Sequence, residues 1–431
     1  MARIASELKT LFHTGFFHIF GSSAVNKIVT FLSSVVLIRI LTKLEYGIFT
    51  YAWNIYSIIV LLNGMGIDAG VMQIASENGG DTAYTNSISN FGVRFGVRFD
   101  LALCMLVLGV GLFAPLNIQG ADRLLCLLCL LPILQLLFQM TTAYLRAQKR
   151  NQEYAKLTTL NTIMVFAISA ICAFAFREAG LIVGYYAAYI ASFIIGRFVY
   201  KIRLFNDSQA IAENDRKDIL RIAAITMLNN GLSQLLYLLD TFVLGIVDPQ
   251  ETVLASYKVA TMIPSALNFI PIALVTYLYP YFSEHRRDGG WCIKKYKQIL
   301  LCLGTFNLLV SGVLFFGAPL IIRLMFGAQY LDAVSIFRVL AINYFFSGTF
   351  RVLSGNLLVT QRKLKFNLSV AIISSAINVL ADYFFIQWWG AIGAAFASSS
   401  VVLISSILNT AYLIYTFKKS ERRMETNDAQ V

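Results

Sequence analysis

The segment Ala147-Gln148-Lys149-Arg150 separates two apolar runs, and Thr360-Gln361-Arg362-Lys363 separates two others 213 positions later. The same displacement carries Gly180 onto Gly393. A basic elbow, an apolar segment, a glycine-marked turn and a second apolar segment therefore recur with unchanged spacing. This pattern indicates that the chain is built from two copies of one half.

Two further matches extend the repeat towards the N-terminal end of each half. Residues 41–45 match residues 247–251 at a displacement of 206, and residues 114–116 match residues 318–320 at 204. The displacement corresponds to six apolar spans, an even number, so both copies enter the membrane in the same direction. Such a parallel repeat is typical of transporters.

The composition identifies a polytopic membrane protein. Of 431 residues, 58% are hydrophobic and only 13% are charged, and the mean hydropathy is +0.68. Soluble domains carry about 25% charged residues. The apolar runs are about 20 residues long, which is the length of a membrane-spanning helix and about twice that of a barrel strand.

We therefore predict an all-α protein with twelve transmembrane helices, arranged as two six-helix bundles around a central cavity. The predicted spans are 16–38, 47–67, 97–115, 124–145, 158–176, 181–200, 220–246, 253–281, 299–317, 333–359, 366–388 and 391–416. The corresponding division is an N-terminal bundle (1–200), a cytoplasmic linker (201–219), a C-terminal bundle (220–417) and a basic cytoplasmic tail (418–431).

The distribution of Lys and Arg predicts the orientation. With the N-terminus in the cytoplasm, cytoplasmic segments hold 26 of these residues and outer loops hold five. This bias places both termini in the cytoplasm and explains the net charge of +12 without nucleic acid. The outer loops are short and leave no room for a catalytic domain, so we expect a transporter and not an enzyme.

The sequence contains no motif for a resident cofactor or metal. Cys126 and Cys129 have a redox-type spacing, but they lie in a Leu-rich span without a second pair, which favours a packing role. The three histidines form no cluster, and no phosphate-binding glycine loop is present. The chain leaves open whether transport is coupled to a proton or sodium gradient.

Polar residues within the spans are the candidates for substrate contact, because lipid-facing positions rarely keep them. On helical wheels they form stripes that would line a hydrated cavity. Packing between helices through small and polar residues is the alternative explanation. The predicted cavity residues are Asn26, Lys27, Asn230, Tyr237, Asp240, Lys258, Asn268, Asn343, Arg351 and Asp382.

Prolines mark bends in two spans. Pro264 and Pro271 lie in the eighth span and Pro132 lies in the fourth. Proline removes a backbone hydrogen bond and bends a helix. These positions are predicted to be either static kinks or gating points.

The run Leu37-Ile38-Arg39-Ile40-Leu41-Thr42-Lys43-Leu44-Glu45-Tyr46-Gly47 and the segment Asp240-Thr241-Phe242-Val243-Leu244-Gly245 resemble bacterial polysaccharide flippases. These are the O-antigen and exopolysaccharide exporters of the multidrug/oligosaccharidyl-lipid/polysaccharide superfamily. The resemblance covers the whole chain through its span count and repeat.

The resemblance implies a multi-pass protein of the bacterial cytoplasmic (inner) membrane. Its implied substrate is an undecaprenyl-pyrophosphate-linked oligosaccharide, flipped from the inner to the outer leaflet by alternating access. Lys27, Lys258 and Arg351 would hold the pyrophosphate and anionic sugars. Membrane lipids, a glycan polymerase and a chain-length regulator are the implied partners.

Two other functions stay open at the level of sequence. A cation-coupled multidrug exporter of the same superfamily would use Asp240 and Asp382, which three basic residues outnumber. A membrane-embedded glycan polymerase or ligase would need a larger outer loop with catalytic residues.

Overall fold

The computed structural model describes residues 16–77, 82–202, 204 and 211–428. These residues form helices joined by short turns, and no strand occurs among them. The chain divides into two compact units, one up to Leu238 and one from Leu239 onward. The predicted all-helical fold is confirmed, whereas the predicted bundle boundaries stay a prediction, because part of the 201–219 linker lies outside the described residues.

Fifteen α-helices make up the described structure. In chain order they are α1 (Phe16–Ile40), α2 (Lys43–Ile59), α3 (Ile67–Glu77), α4 (Thr82–Phe113), α5 (Ala121–Leu128), α6 (Leu131–Ala147), α7 (Asn151–Phe198), α8 (Glu213–Val247), α9 (Glu251–Leu267), α10 (Phe269–Glu284), α11 (Gly289–Met325), α12 (Ala333–Phe346), α13 (Val352–Thr360), α14 (Leu364–Trp389) and α15 (Ala391–Asp428). Short 3₁₀ segments lie at Val60–Gly66 and Ala328–Tyr330, and a π-helical segment lies at Ser347–Arg351.

Eight segments of the described structure are long and apolar enough to cross a membrane, or nine if the bent pair α5–α6 forms one span. Helix α1 is not among these segments, and α8 contributes only the shorter apolar stretch Leu238–Val247. Both helices carry polar side chains along the predicted span, among them Asn26 and Lys27 in α1 and Asn230 in α8. Each of the twelve predicted spans corresponds to a described helical segment.

Helix α7 is a hairpin of two antiparallel helices. Its 48 residues would extend about 72 Å if straight, more than twice the thickness of a bilayer core. The backbone leaves the helical region at Arg177 (φ 51°, ψ −131°). Across the hairpin, Ser169 donates a hydrogen bond to the Leu181 carbonyl (3.1 Å) and Ser192 donates to Asn161 (2.9 Å). One continuous helical run thus supplies the fifth and sixth spans.

The hairpin recurs between α14 and α15 with the same backbone geometry. Gly390, displaced by 213 positions from Arg177, adopts φ 58° and ψ −140°. A Cβ added at Gly180 would lie 2.2 Å from a carbonyl oxygen of the opposite helix, and one added at Gly393 would lie 2.0 Å from the equivalent oxygen. The repeat predicted from sequence is therefore a repeat of backbone conformation.

The basic elbows repeat as well. Lys149 and Arg362 each follow the end of a helix with positive φ, 56° and 57°. The next amide in each case bonds back to a carbonyl five residues earlier, from Arg150 to Leu145 (2.8 Å) and from Lys363 to Leu358 (2.9 Å). This is the Schellman pattern, which terminates a helix and satisfies its last carbonyls.

Three of the predicted spans are interrupted. The second span breaks at Asn63, Gly64 and Met65, where the backbone is not helical. The fourth bends by 42° between α5 and α6, directly before Pro132. The eighth divides into α9 and α10 at Asn268, between Pro264 and Pro271. Breaks free backbone groups that neighbouring side chains must satisfy.

Each unit has its own apolar core. In the first unit, α3, α4 and α6 pack through side chains such as Ile67, Val93 and Met140. In the second unit, Phe282 and Phe417 pack at the centre of a cluster from α10, α11, α13 and α15. These cores fix the helices from which the polar side chains described next project.

Candidate functional site: a buried acidic cluster

Four helices bring five oxygen- or amide-bearing side chains of the second unit together. Asp240 comes from α8, Tyr257 from α9, Asn378 and Asp382 from α14, and Ser398 from α15. Asn378 and Asp382 are four residues apart and therefore share one face of α14. The α14–α15 hairpin returns Ser398 to the same level. We call these five residues the acidic cluster.

Asp240 is the centre of the acidic cluster. Its Oδ2 accepts hydrogen bonds from the Tyr257 hydroxyl (3.0 Å) and from the Ser398 hydroxyl, and its Oδ1 accepts from Asn378 Nδ2 (3.0 Å). The same amide lies 2.7 Å from Asp382 Oδ2. Asn378 thus bridges the two carboxyl groups.

Asp382 is fully buried, at 0% exposure. Its Oδ1 has no hydrogen-bond donor among the described residues. Its carboxyl group lies close to that of Asp240, because both accept from the same Asn378 Nδ2. Two ionised carboxylates that share one amide donor repel each other. A proton or a bound cation between them would remove this repulsion.

The donor set limits what the acidic cluster can bind. Carboxylate, amide and hydroxyl oxygens suit a proton or a hard cation, whereas soft transition metals favour sulfur or imidazole. No group of three His, Cys, Asp or Glu side chains suited to a metal ion occurs in the described part of the chain. The acidic cluster thus has the chemistry of an exchangeable proton or alkali-cation site.

Of the predicted cavity residues, Asp240 and Asp382 meet directly. Lys258 follows Tyr257 on α9, is half-buried, and its side chain makes no ion pair with any described residue. Asn268 caps the break between α9 and α10, and its Oδ1 accepts from Ser347 (3.5 Å). That contact lies at the start of the π-helical segment, which ends at Arg351.

The remaining predicted cavity residues lie on α1, α8 and α12. Asn343 lies half-buried on α12, Asn230 is exposed on α8, and Lys27 is exposed on α1. Asn26 is half-buried, and its buried Oδ1 has no partner among the described residues. The Tyr237 side chain lies outside the described residues.

Sequence reasoning missed a buried polar knot in the first unit. Asp100 on α4 is fully buried and accepts from the Gly64 amide (2.6 Å) and Asn63 Nδ2 (3.0 Å). Asn63 Nδ2 also lies 3.0 Å from the Pro132 carbonyl oxygen. The knot satisfies backbone groups at the breaks of the second and fourth spans. The pair Asn63-Gly64 within the second span, followed by the carboxylate of Asp100 in the third, is the sequence feature that could have indicated this knot.

An ion pair at the α7 hairpin was also missed. The Arg177 guanidinium makes two hydrogen bonds of 2.8 Å to the Glu45 carboxylate. Glu45 also closes a capping box with Thr42 at the start of α2. The pair therefore fixes the start of α2 beside the hairpin turn.

The fold is that of transporters of the MOP superfamily. It is similar to an inward-facing multidrug resistance MATE family transporter of that superfamily, with a TM-score of 0.76, 12% identity, and coverage of 94% of this chain and 99% of that one. The lipid II flippase MurJ, in an inward closed conformation, gives a TM-score of 0.72 at 15% identity, with coverage of 94% of this chain and 89% of that one. A MOP superfamily transporter from Pyrococcus furiosus gives a TM-score of 0.63 at 13% identity, with coverage of 94% of this chain and 96% of that one.

This chain belongs to the family described as polysaccharide biosynthesis proteins, whose match covers residues 12–285, well over half of the sequence. The resemblance to polysaccharide flippases found in the sequence is thereby confirmed. No curated protein matches the sequence. The helices and the fold also confirm a multi-pass membrane protein.

Proposed function

We propose that this protein is a flippase that moves undecaprenyl-pyrophosphate-linked oligosaccharide units from the inner to the outer leaflet of the bacterial cytoplasmic membrane by alternating access. The observation that carries the proposal is the membership of a polysaccharide biosynthesis family by a chain with a transporter fold. The similarity to a lipid II flippase supports a lipid-linked substrate. In this proposal the chain transports its substrate and catalyses no covalent step.

The cationic residues of the spans are the proposed contacts of the pyrophosphate. A pyrophosphate cannot cross hydrocarbon without a hydrated, oppositely charged path. Lys27 offers a point charge in the first unit, and Lys258 and Arg351 offer a point charge and a bidentate fork in the second. Arg351 lies at a π-helical segment, a feature frequent at functional sites.

Coupling to an ion gradient is proposed for the acidic cluster. Binding of a proton or sodium ion would neutralise the contact between Asp240 and Asp382, and its release would restore their repulsion. A site that alternates between these states is the element that a gradient can bias. No resident cofactor is needed for this role.

The proposed setting follows from the charge distribution and the pathway. Both termini lie in the cytoplasm, the protein is embedded among membrane lipids, and a glycan polymerase and chain-length regulator take up its product. Nucleic acid has no part in this function.

A deletion strain tests the proposed function. Loss of the gene is expected to abolish the surface glycan and to cause accumulation of the lipid-linked repeat unit inside the cell. Loss of a polymerase would instead leave single repeat units on the surface. Normal surface glycan in the deletion strain, without accumulation, would refute the proposal.

Charge-removing variants then test the proposed contacts. Lys258→Gln and Arg351→Gln are expected to lower export at normal protein levels. Arg338→Gln is the matched control, because the Arg338 side chain is already occupied by the Phe315 carbonyl (3.2 Å) and ring. Unchanged export in the Lys258 and Arg351 double variant would remove both from the proposed site.

A multidrug exporter is the second candidate function. It is favoured by the similarity to a multidrug resistance transporter and by an acidic cluster that could bind a cation. Expression in a host that lacks its own exporters separates the two candidates. Increased drug resistance without any effect on surface glycan would favour the exporter.

A further inference from the structure

Aromatic rings from three helices of the first unit form a continuous series. Successive ring centroids lie 5.6 Å apart for Phe49–Trp53, 4.6 Å for Trp53–Tyr185, 6.5 Å for Tyr185–Tyr189 and 5.5 Å for Tyr189–Phe138. All five rings are half-buried, so each keeps some accessible surface. We call this series the aromatic ladder.

The ladder arises from two parallel helices in register. The Glu45–Arg177 ion pair holds the starts of α2 and of the second α7 helix together. Trp53 and Tyr185 each lie eight residues beyond that pair, about 12 Å along the helix. Phe49 and Tyr189 lie four residues from them on the same faces. The rings therefore descend from the hairpin end towards the middle of the membrane.

Polar groups lie beside the aromatic ladder near the middle of the membrane. Gln135 accepts a hydrogen bond from Tyr56 (3.0 Å) and interacts with the Tyr189 hydroxyl. Tyr189 lies about 18 Å from the hairpin end, which is past the midpoint of a 30 Å hydrocarbon core. Amide and hydroxyl groups are costly against lipid tails at this depth. We therefore expect the side of the ladder that carries these polar groups to face away from lipid.

The repeat shows that the hairpin does not require the ladder. The positions equivalent to Tyr185 and Tyr189 in the second unit, displaced by 213, are Ser398 and Val402. Ser398 serves the acidic cluster there. The same backbone thus carries two aromatic rings in one half and a serine and a valine in the other, so the hairpin fold alone does not account for the rings.

We propose that the aromatic ladder binds the sugar rings of the transported lipid-linked glycan. A pyranose ring presents a face of C–H groups, which suits the electron-rich face of Trp or Tyr. Its hydroxyl groups require donors and acceptors such as Gln135 and the tyrosine hydroxyls. The series of rings spaced by a helical turn would let successive sugars move from one ring to the next. This inference rests on the proposed flippase function and assigns its glycan contact.

The test uses full-length protein in lipid nanodiscs and three probes. The first is the lipid-linked glycan that accumulates in a strain lacking this gene, the second is undecaprenyl pyrophosphate without sugar, and the third is the organic cation tetraphenylphosphonium. The variants are Trp53→Ala and Tyr185→Ala, with Trp53→Phe and Tyr185→Phe to keep a ring. Phe174→Ala is the matched control, since Phe174 lies on the same hairpin and is 72% exposed.

The alanine variants are expected to weaken binding of the glycan-bearing lipid about tenfold, as the loss of a ring contact would do. Binding of undecaprenyl pyrophosphate should be unchanged, and the phenylalanine variants should retain most of the affinity. Equal weakening of both lipids, or of neither, would overturn the proposal. Weakened binding of tetraphenylphosphonium with unchanged glycan binding would assign the ladder to organic cations and also overturn it.

Failure of the proposed function would give a different result. In that case no lipid-linked glycan accumulates in the deletion strain, and the unmodified protein does not bind undecaprenyl pyrophosphate. A protein that binds the glycan-bearing lipid independently of the ladder would refute only the inference.

Discussion

Replacing Asp by Asn should affect protein stability differently at the two carboxyl groups of the acidic cluster. In Asp382→Asn, the amide oxygen can keep the Asn378 contact, now at 2.7 Å, while the new NH₂ group donates to Asp240. A repulsive contact becomes a hydrogen bond, so the variant should be as stable as the unmodified protein or more so. Asp240 has no such freedom, because both of its oxygens already accept from donors.

The magnitude follows from the hydrogen bonds. In Asp240→Asn, either orientation of the amide turns its NH₂ group towards Asn378 or towards the Tyr257 and Ser398 hydroxyls. At least one buried donor then loses its acceptor, which costs about 1–3 kcal/mol. Asp240→Asn should therefore unfold more easily than Asp382→Asn by about that amount, although both remove one carboxylate.

The assay is thermal unfolding of purified protein at several sodium concentrations and pH values, with surface glycan export measured in parallel. A cation that binds the folded protein at 100 times its Kd stabilises it by about 2.7 kcal/mol. The unmodified protein should show such a response to sodium or to protons, and Asp382→Asn should lose it together with export. Asp332→Asn, in the same unit and outside the acidic cluster, should keep both. A fully active Asp382→Asn variant with an unchanged ion response would refute the coupling role.

Three further predictions concern backbone and knot positions. Arg177→Gly should be more stable than Arg177→Ala by about 1–3 kcal/mol in thermal unfolding, because both lose the Glu45 pair but only glycine adopts φ 51°, ψ −131° without strain; the reverse order would contradict the argument. Asp100→Asn should lower the free energy of unfolding by about 1–3 kcal/mol in the same measurement, since an amide cannot accept from both the Gly64 and Asn63 donors. Unchanged unfolding would show that the knot is dispensable. Gly393→Val should give little folded protein in size-exclusion profiles, because its Cβ meets a carbonyl oxygen at 2.0 Å, whereas Gly312→Ala, with open space around it, should behave normally; equal yields would contradict the close packing of the hairpin.

Much of the fold could be predicted from spacing alone. A repeat of 213 positions with a basic elbow and a glycine predicted two equivalent hairpins, and these occur with matching dihedral angles. Helical segments about 20 residues long were predicted from composition, because lipid permits few alternatives. Both inferences depend on local chain properties, which a sequence records directly.

The details of the site depended on information that periodicity lacks. A helical wheel places Asp240 and Asp382 on polar stripes, but it does not give the rotation of α8 relative to α14 that brings them into contact. The break at Asn63 depends on a carboxylate 37 residues away. Arg177 looked like an ordinary loop cation, and only its alignment with Gly390 could have indicated its unusual backbone.

The two hairpins give this chain an internal reference for experiment. Positions 149 and 362, 177 and 390, and 180 and 393 are pairs with nearly the same backbone environment and different side-chain surroundings. A substitution made at both members of a pair separates two kinds of defect. Damage to the shared scaffold should appear from either half, whereas damage to a particular chemistry should appear from one half alone.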